Sequence, residues 1–168
     1  MQALEASEGY WTSELFYAEH KDKKGFVIVD GVLMKYFTKK TKIEIPDNVT
    51  EIGPGVIVME AEDEDGYPKT IEKLTIPGTV KKIEISAFNE TSLRKVIIKD
   101  GVEDIGDYAF ADSYFDEIHI PTSVMYIGEW AFDCCEVNDG KIYIKKGSYA
   151  EEYFKEYPEY ERQLVVED

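Results

Sequence analysis

The stretch AEDEDGYPKTIE, residues 61–72, carries the densest set of potential cation ligands in the chain. Set against a twelve-residue calcium loop, it puts Asp63 at position 3, Asp65 at 5, Gly66 at 6 and Glu72 at 12, the spacing that a helix–loop–helix site uses. Three features oppose that reading. Ala61 stands where the first carboxylate is needed, and Pro68 replaces the small apolar residue that follows the turn. Glu72 falls within the strand-forming "IEKLTI", so it is not free to fold back as a bidentate ligand without disrupting that rung. The stretch reads as a solvated acidic excursion from a strand-built frame. Its carboxylates Glu60, Glu62, Asp63, Glu64 and Asp65 leave room only for weak, non-specific divalent binding.

Other chemistry is thinner still. His20 and His119 have no cysteine at ligand spacing and no HExxH pattern occurs. A zinc site of His119 with a carboxylate such as Asp116 is less expected than a lone surface histidine. Cys134 and Cys135 are adjacent, and a bridge between them needs a strained turn; one buried and one exposed thiol is the simpler reading. Ser86, Ser113 and Ser123 sit in no nucleophile-elbow context, and no phosphate-cradling glycine loop appears. Acidic residues are so frequent that no carboxylate pair stands out as an acid–base dyad. No catalytic, cofactor-binding or metal-ligating residue is assigned, and the chain is not expected to be an enzyme.

The whole chain narrows the classes further. Its 168 residues suffice for one domain with a sizeable core. A formal charge of −16 opposes attraction to nucleic acid or to anionic membrane surfaces. Two cysteines make no disulfide framework, and no apolar run reaches the length of a membrane span. The N-terminus lacks the basic and apolar regions of a signal peptide. The expected compartment is the cytoplasm if Met1 is the native start, and the cell surface or exterior if the chain is part of a longer one.

What must position any functional residue is a repeat. "IEKLTIPGTVKKIEISAFNETS" begins at Ile71, "LRKVIIKDGVEDIGDYAFADSY" at Leu93 and "FDEIHIPTSVMYIGEWAFDCCE" at Phe115, a constant step of 22 residues. Matching columns read Leu74, Val96, Ile118; Ile76, Ile98, Ile120; Val80, Val102, Val124; and Ile83, Ile105, Ile127, followed by Ala87-Phe88, Ala109-Phe110 and Ala131-Phe132. Upstream, Ile43, Ile45, Val49, Ile52 and Val56-Ile57 fill the same columns, with about nine extra residues before the next repeat. Downstream, Ile142 and Ile144 begin a fifth rung. One copy cannot bury its own apolar face; stacked copies share a continuous core, with the alternating segments as parallel strands. Gly53, Gly106 and Gly128 suit a tight corner at one shared position.

The pattern "IPxxVxxIGxxAF" at this period resembles the BspA-type leucine-rich repeats, found in bacterial surface and secreted proteins and in some anaerobic protists. The resemblance spans about residues 26–157 and departs from the family at Lys99, where Pro46, Pro77 and Pro121 otherwise stand, and in the long first repeat. It implies a mostly-β, right-handed leucine-rich-repeat solenoid that binds other molecules, usually proteins, with no catalytic residues to carry over. The expected layout is one domain: cap and hairpin over 1–42, five repeats over 43–147, and a capping helix and tail over 148–168. Asp30-Gly31 marks the hairpin turn between Phe26 and Phe37. Tyr10, Trp11, Phe16 and Tyr17 are further candidates to cover the first rung. At the other end Ser148 and Glu151 form a capping box that starts a helix at Tyr149, Tyr153, Phe154 and Tyr157 lie over the last rung, and Pro158 stops the helix.

A solenoid presents its function on the outward residues of its strands. One outward column reads Glu44, Thr75, Ile97, His119, Tyr143, and the column before it Lys42, Lys73, Lys95, Glu117, Lys141. A basic strip beside an apolar stripe suits an acidic partner surface or peptide. Lysine on exposed strands also keeps sheets soluble, and both readings stand at this point. The expected partner-binding residues are Lys73, Lys95, Ile97, His119 and Tyr143, the partner a protein or peptide, and the chain itself a monomer. Two other readings are an adhesin fragment whose repeats act as a spacer, and a carbohydrate binder using Tyr143 and Trp130.

Overall fold

Along the central repeats the backbone returns every 22 residues to the same place one rung further on, and each of these returns adds a strand to each of two sheets. A computed structural model describes residues 11–133 and 140–168. The six-stranded sheet is built from β3 (Lys42–Glu44), β6 (Lys73–Ile76), β8 (Lys95–Ile98), β10 (Glu117–His119), β12 (Lys141–Lys145) and β13 (Leu164–Glu167), parallel throughout and in that spatial order. Its register follows the repeat: Leu74 lies beside Val96 and Val96 beside Ile118, each a 22-residue step, and Ile118 lies beside Ile142 across a two-residue insertion. Side chains alternate across a strand, so this inward column is buried while its neighbours face out.

The second sheet was not evident from the apolar pattern, because its strands are only two residues long along the repeats. It comprises β4 (Glu51–Ile52), β7 (Lys82–Ile83), β9 (Asp104–Ile105) and β11 (Tyr126–Ile127), again parallel. At its near end the hairpin joins in. β1 (Phe26–Val29) pairs antiparallel with β2 (Val32–Thr38) through Asp30 and Gly31, whose φ angles of 49° and 84° are those of a two-residue primed turn. β2 then pairs in parallel with β4 and with β5 (Ile57–Met59). The hairpin therefore caps the first rung by becoming part of the sheet, with Phe26 and Tyr36 stacked at 3.9 Å beneath it. Helix α1 (Trp11–His20) precedes it, with Phe16 and Tyr17 half-buried; Tyr10 lies outside the described residues.

Between the sheets Phe88, Phe110 and Phe132 stack along the axis, centroids 5.2 and 5.5 Å apart and rings within 16° of parallel. Ser113, buried beside them, donates its hydroxyl to the Phe88 carbonyl at 2.7 Å. The aromatic column ends on helix α2 (Tyr149–Lys155), whose Phe154 ring lies 5.4 Å from Phe132. The Ser148 hydroxyl accepts from the Glu151 amide, and the Glu151 carboxylate accepts from the amide of Gly147 rather than Ser148. The helix ends before Pro158, which instead opens a 3-10 turn, Pro158–Tyr160. Tyr160 donates to the Phe132 carbonyl, and burial pushes the Tyr153 hydroxyl well above the ordinary phenol range. The expected tail then returns as β13, a further rung.

The shared corner also differs from expectation. Its left-handed residues are Gly55, Ser86, Tyr108 and Trp130, with φ between 52° and 54°. Gly106 and Gly128 stand two positions earlier, where neighbouring backbone leaves no space: a Cβ on Gly128 would sit 2.5 Å from the Asp107 amide nitrogen. Close approach, not turn geometry, requires glycine there. No described helix is long and apolar enough to cross a membrane. Truncating the middle ring of the aromatic column, Phe110→Ala, is expected to lower unfolding free energy by about 3–5 kcal/mol, read from urea denaturation; a loss below about 1 kcal/mol would mean the rungs do not depend on the stack.

Candidate functional site

The inward aliphatic column of the six-stranded sheet fixes the outward one. Thr75, Ile97, His119, Tyr143 and Val165 follow one another across five adjacent strands. Thr75 is buried, while Ile97, His119, Tyr143 and Val165 are half-buried. The His119 and Tyr143 rings stack at 4.3 Å and within 3° of parallel, because rung spacing places successive side chains at ring-stacking distance. Beyond them, at the C-terminal ends of the strands, a groove of about 520 Å3 opens between Pro121 and Thr122 on one wall and Lys145, Lys146, Glu167 and Asp168 on the other. Lys145 reaches Glu167 at 3.2 Å and the Asp168 carbonyl at 3.1 Å.

The lysine column is less free than its spacing suggests. Lys95 places its ammonium 2.5 Å from Glu117, and His119 bonds to the same carboxylate oxygen through Nε2. These two neighbours, His119 first, hold the Glu117 carboxyl below the usual carboxylate range. Lys42 meets Glu72 at 3.4 Å, and the Lys141 ammonium donates to the Arg162 carbonyl at 3.4 Å. Lys73 is exposed and, among the described residues, has no ion-pair partner. The structure thus brings Ile97, His119 and Tyr143 into one column, turns Lys95 towards Glu117, and leaves Lys73 out in solvent on β6, one rung from the groove's nearest lining residue, Ile98. Val165 and the groove walls escaped the sequence reading; the run "LVVE", four residues of strand character, was the available signal.

The acidic excursion has its own structure. The Asp63 carboxylate accepts from the amides of Asp65 and Tyr67 at 2.9 and 3.0 Å, closing a small turn across which Glu62 and Pro68 form a bridge. Glu72 stands one residue before β6, paired with Lys42 as above. Among the described residues no three His, Cys, Asp or Glu side chains are placed to hold a metal ion. Tyr143 and Trp130 are not brought together. Trp130 follows β11 of the second sheet and packs on Tyr108 at 5.3 Å. Cys134 and Cys135 lie outside the described residues.

Two parallel sheets coiled around one aliphatic and aromatic core define a leucine-rich-repeat solenoid. Within that class, the BspA type leucine-rich repeat region, in six copies, matches residues 67–158, and the chain belongs to that family. Neither a curated protein nor a solved structure matches it.

Glu117 offers a test of the site's electrostatics. Its carboxyl titrates lower folded than unfolded, so its stabilising contribution is present above the ordinary carboxylate range and is lost as pH falls through the folded value. The unfolding free-energy difference between wild type and Glu117→Gln is therefore expected at pH 7 and should vanish under acid conditions. A difference constant with pH would show that the Lys95–Glu117–His119 contacts carry no net charge interaction.

Proposed function

We propose that this chain is a non-catalytic binding module that engages a protein or peptide through the outward face of its six-stranded sheet. The observation that carries the reading is the half-buried column Ile97, His119 and Tyr143 leading into the 520 Å3 groove. An apolar and aromatic stripe with a polar rim has the anatomy of a recognition surface, and stacked rings offer large contact area with little rotamer entropy to lose. Lys73, exposed on the same outward face, would steer an acidic partner, while Lys95 acts by holding Glu117 and His119 in place. The domain reading, one repeat unit with caps over 1–42 and 148–168, belongs to the same proposal, as does a monomeric state.

A second reading has its own support. Lys42, Lys95 and Lys145 spend their charge on carboxylates of this chain, as expected of a fragment of a surface or secreted adhesin whose repeats serve as spacer. Affinity capture with the wild-type chain and with a Lys73→Glu, Ile97→Asp, Tyr143→Ala variant separates the two. Circular dichroism checks that the variant folds. A partner retained by wild type and lost by the folded variant is the expected outcome. Identical capture by both, or none by either, would leave the spacer reading standing and the strand face without a partner.

A further inference from the structure

The strand face has a second end. β3 is an outer strand of its sheet and pairs on one side only, with β6. Two hydrogen bonds fix which residues point where: the Lys73 amide donates to the Thr41 carbonyl at 3.1 Å, and the Ile45 amide donates to the Thr75 carbonyl at 3.0 Å. Pairing groups alternate along a parallel strand. Thr41, Ile43 and Ile45 therefore face β6, while the N–H and C=O of Lys42 and Glu44 face away from it. Lys42 and Glu44 each keep an N–H to donate, while Pro46, the next position in that phase, has none and ends the available edge.

Against this edge lies a cavity of about 530 Å3 lined by Lys24, Lys40, Lys42 and Lys99, with Glu44 and Asp47. All four lysines are exposed. Lys42 reaches Glu72; among the described residues, Lys24, Lys40 and Lys99 have no carboxylate within ion-pairing distance. The chain holds 35 acidic residues against 19 basic ones, and here the local balance is reversed. Lys99 is also the one residue that breaks the proline column of Pro46, Pro77 and Pro121, and the break falls on this cavity. Four ammonium groups around one opening repel each other, and an anionic ligand relieves that repulsion.

We propose that this edge receives an extended acidic segment of a partner protein, which adds as a strand beside β3 while its carboxylates meet Lys24, Lys40, Lys42 and Lys99. Main-chain bonds to Lys42 and Glu44 set the register, and the ammonium groups select an acidic strand over a neutral or basic one. The site is separate from the Ile97–His119–Tyr143 column and stands or falls without it.

The test uses the whole chain and a fluorescein-labelled hexapeptide of alternating Glu and Val, with a Lys/Val hexapeptide as control. Fluorescence anisotropy is expected to show saturable binding of the acidic peptide alone. Lys40→Glu with Lys99→Glu, both at exposed positions, should weaken it by at least ~10-fold with the thermal unfolding midpoint retained. Methylating alternate amide nitrogens of the peptide should abolish binding in one phase of the alternation and spare it in the other, since a strand pairs through one edge at a time. The Tyr143→Ala variant should bind the acidic peptide as wild type does, which keeps this result distinct from that of the strand face. Absence of binding overturns the proposal, as does indifference to the Lys40/Lys99 reversal. Equal binding of both methylated phases, with full competition by inorganic phosphate, overturns it as well and leaves a plain anion site.

Discussion

Parallel hydrogen bonding between rungs is the constraint on which the rest of this molecule depends. Rungs in a ladder stand about 4.8 Å apart, so a residue type repeated every 22 positions is forced into contact with its own copies. Aliphatic residues gain from that enforced proximity, as do aromatic rings, and the Phe88–Phe110–Phe132 column is the clearest instance. The family pattern is thus a packing rule written along the chain. It also explains the caps: both ends of such a column expose apolar surface, and Phe26–Tyr36 and Phe154 cover it.

The same spacing acts on charge with the opposite preference. Like charges in adjacent rungs repel, and where the outward columns change sign they form pairs: Lys81 meets Glu103, Arg94 meets Asp116 and Lys95 meets Glu117, each pair one repeat apart. Lys42, Lys73 and Lys95 follow one another without alternation. Lys81–Glu103 and Arg94–Asp116 are exposed pairs, individually worth little, and Lys95–Glu117 is part-buried. Their effect is to fix side-chain directions, and around Glu117 that direction decides which groups a partner would meet.

Repetition made most of this legible in the sequence. The inward columns, the strands of the six-stranded sheet as far as β12, the hairpin turn and the start of α2 all follow from residue type and spacing. Two things did not. Strands of two residues, such as Lys82–Ile83, leave no alternation long enough to read, so the second sheet was invisible although its inward isoleucines were correctly placed in the core. β13 continues the strand columns, Leu164 beside Ile142 and Val165 beside Tyr143, but α2 stands where the rest of a repeat would be, so no further columns mark it. The candidate site was half visible for the same reason: register identified Ile97, His119 and Tyr143 as neighbours, whereas the turning of Lys95 onto Glu117 depends on side-chain geometry that spacing does not encode. Glu117 interrupts a lysine column, and that break was the clue.

Extended backbone on both sides of the coil has a mechanical consequence. A repeat protein bends when one side of each repeat is thicker than the other, as where a helix about 10 Å across packs behind a strand. Here the rise per rung is set by strand pairing on both sides from the hairpin to β11, and the described α-helices stand outside that span, α1 before the hairpin and α2 in the closing turn. Nothing forces the two sides to differ in length, so the stack has little reason to curve into a horseshoe. Such a stack favours a ligand lying along its strand face over one enclosed by a concave surface.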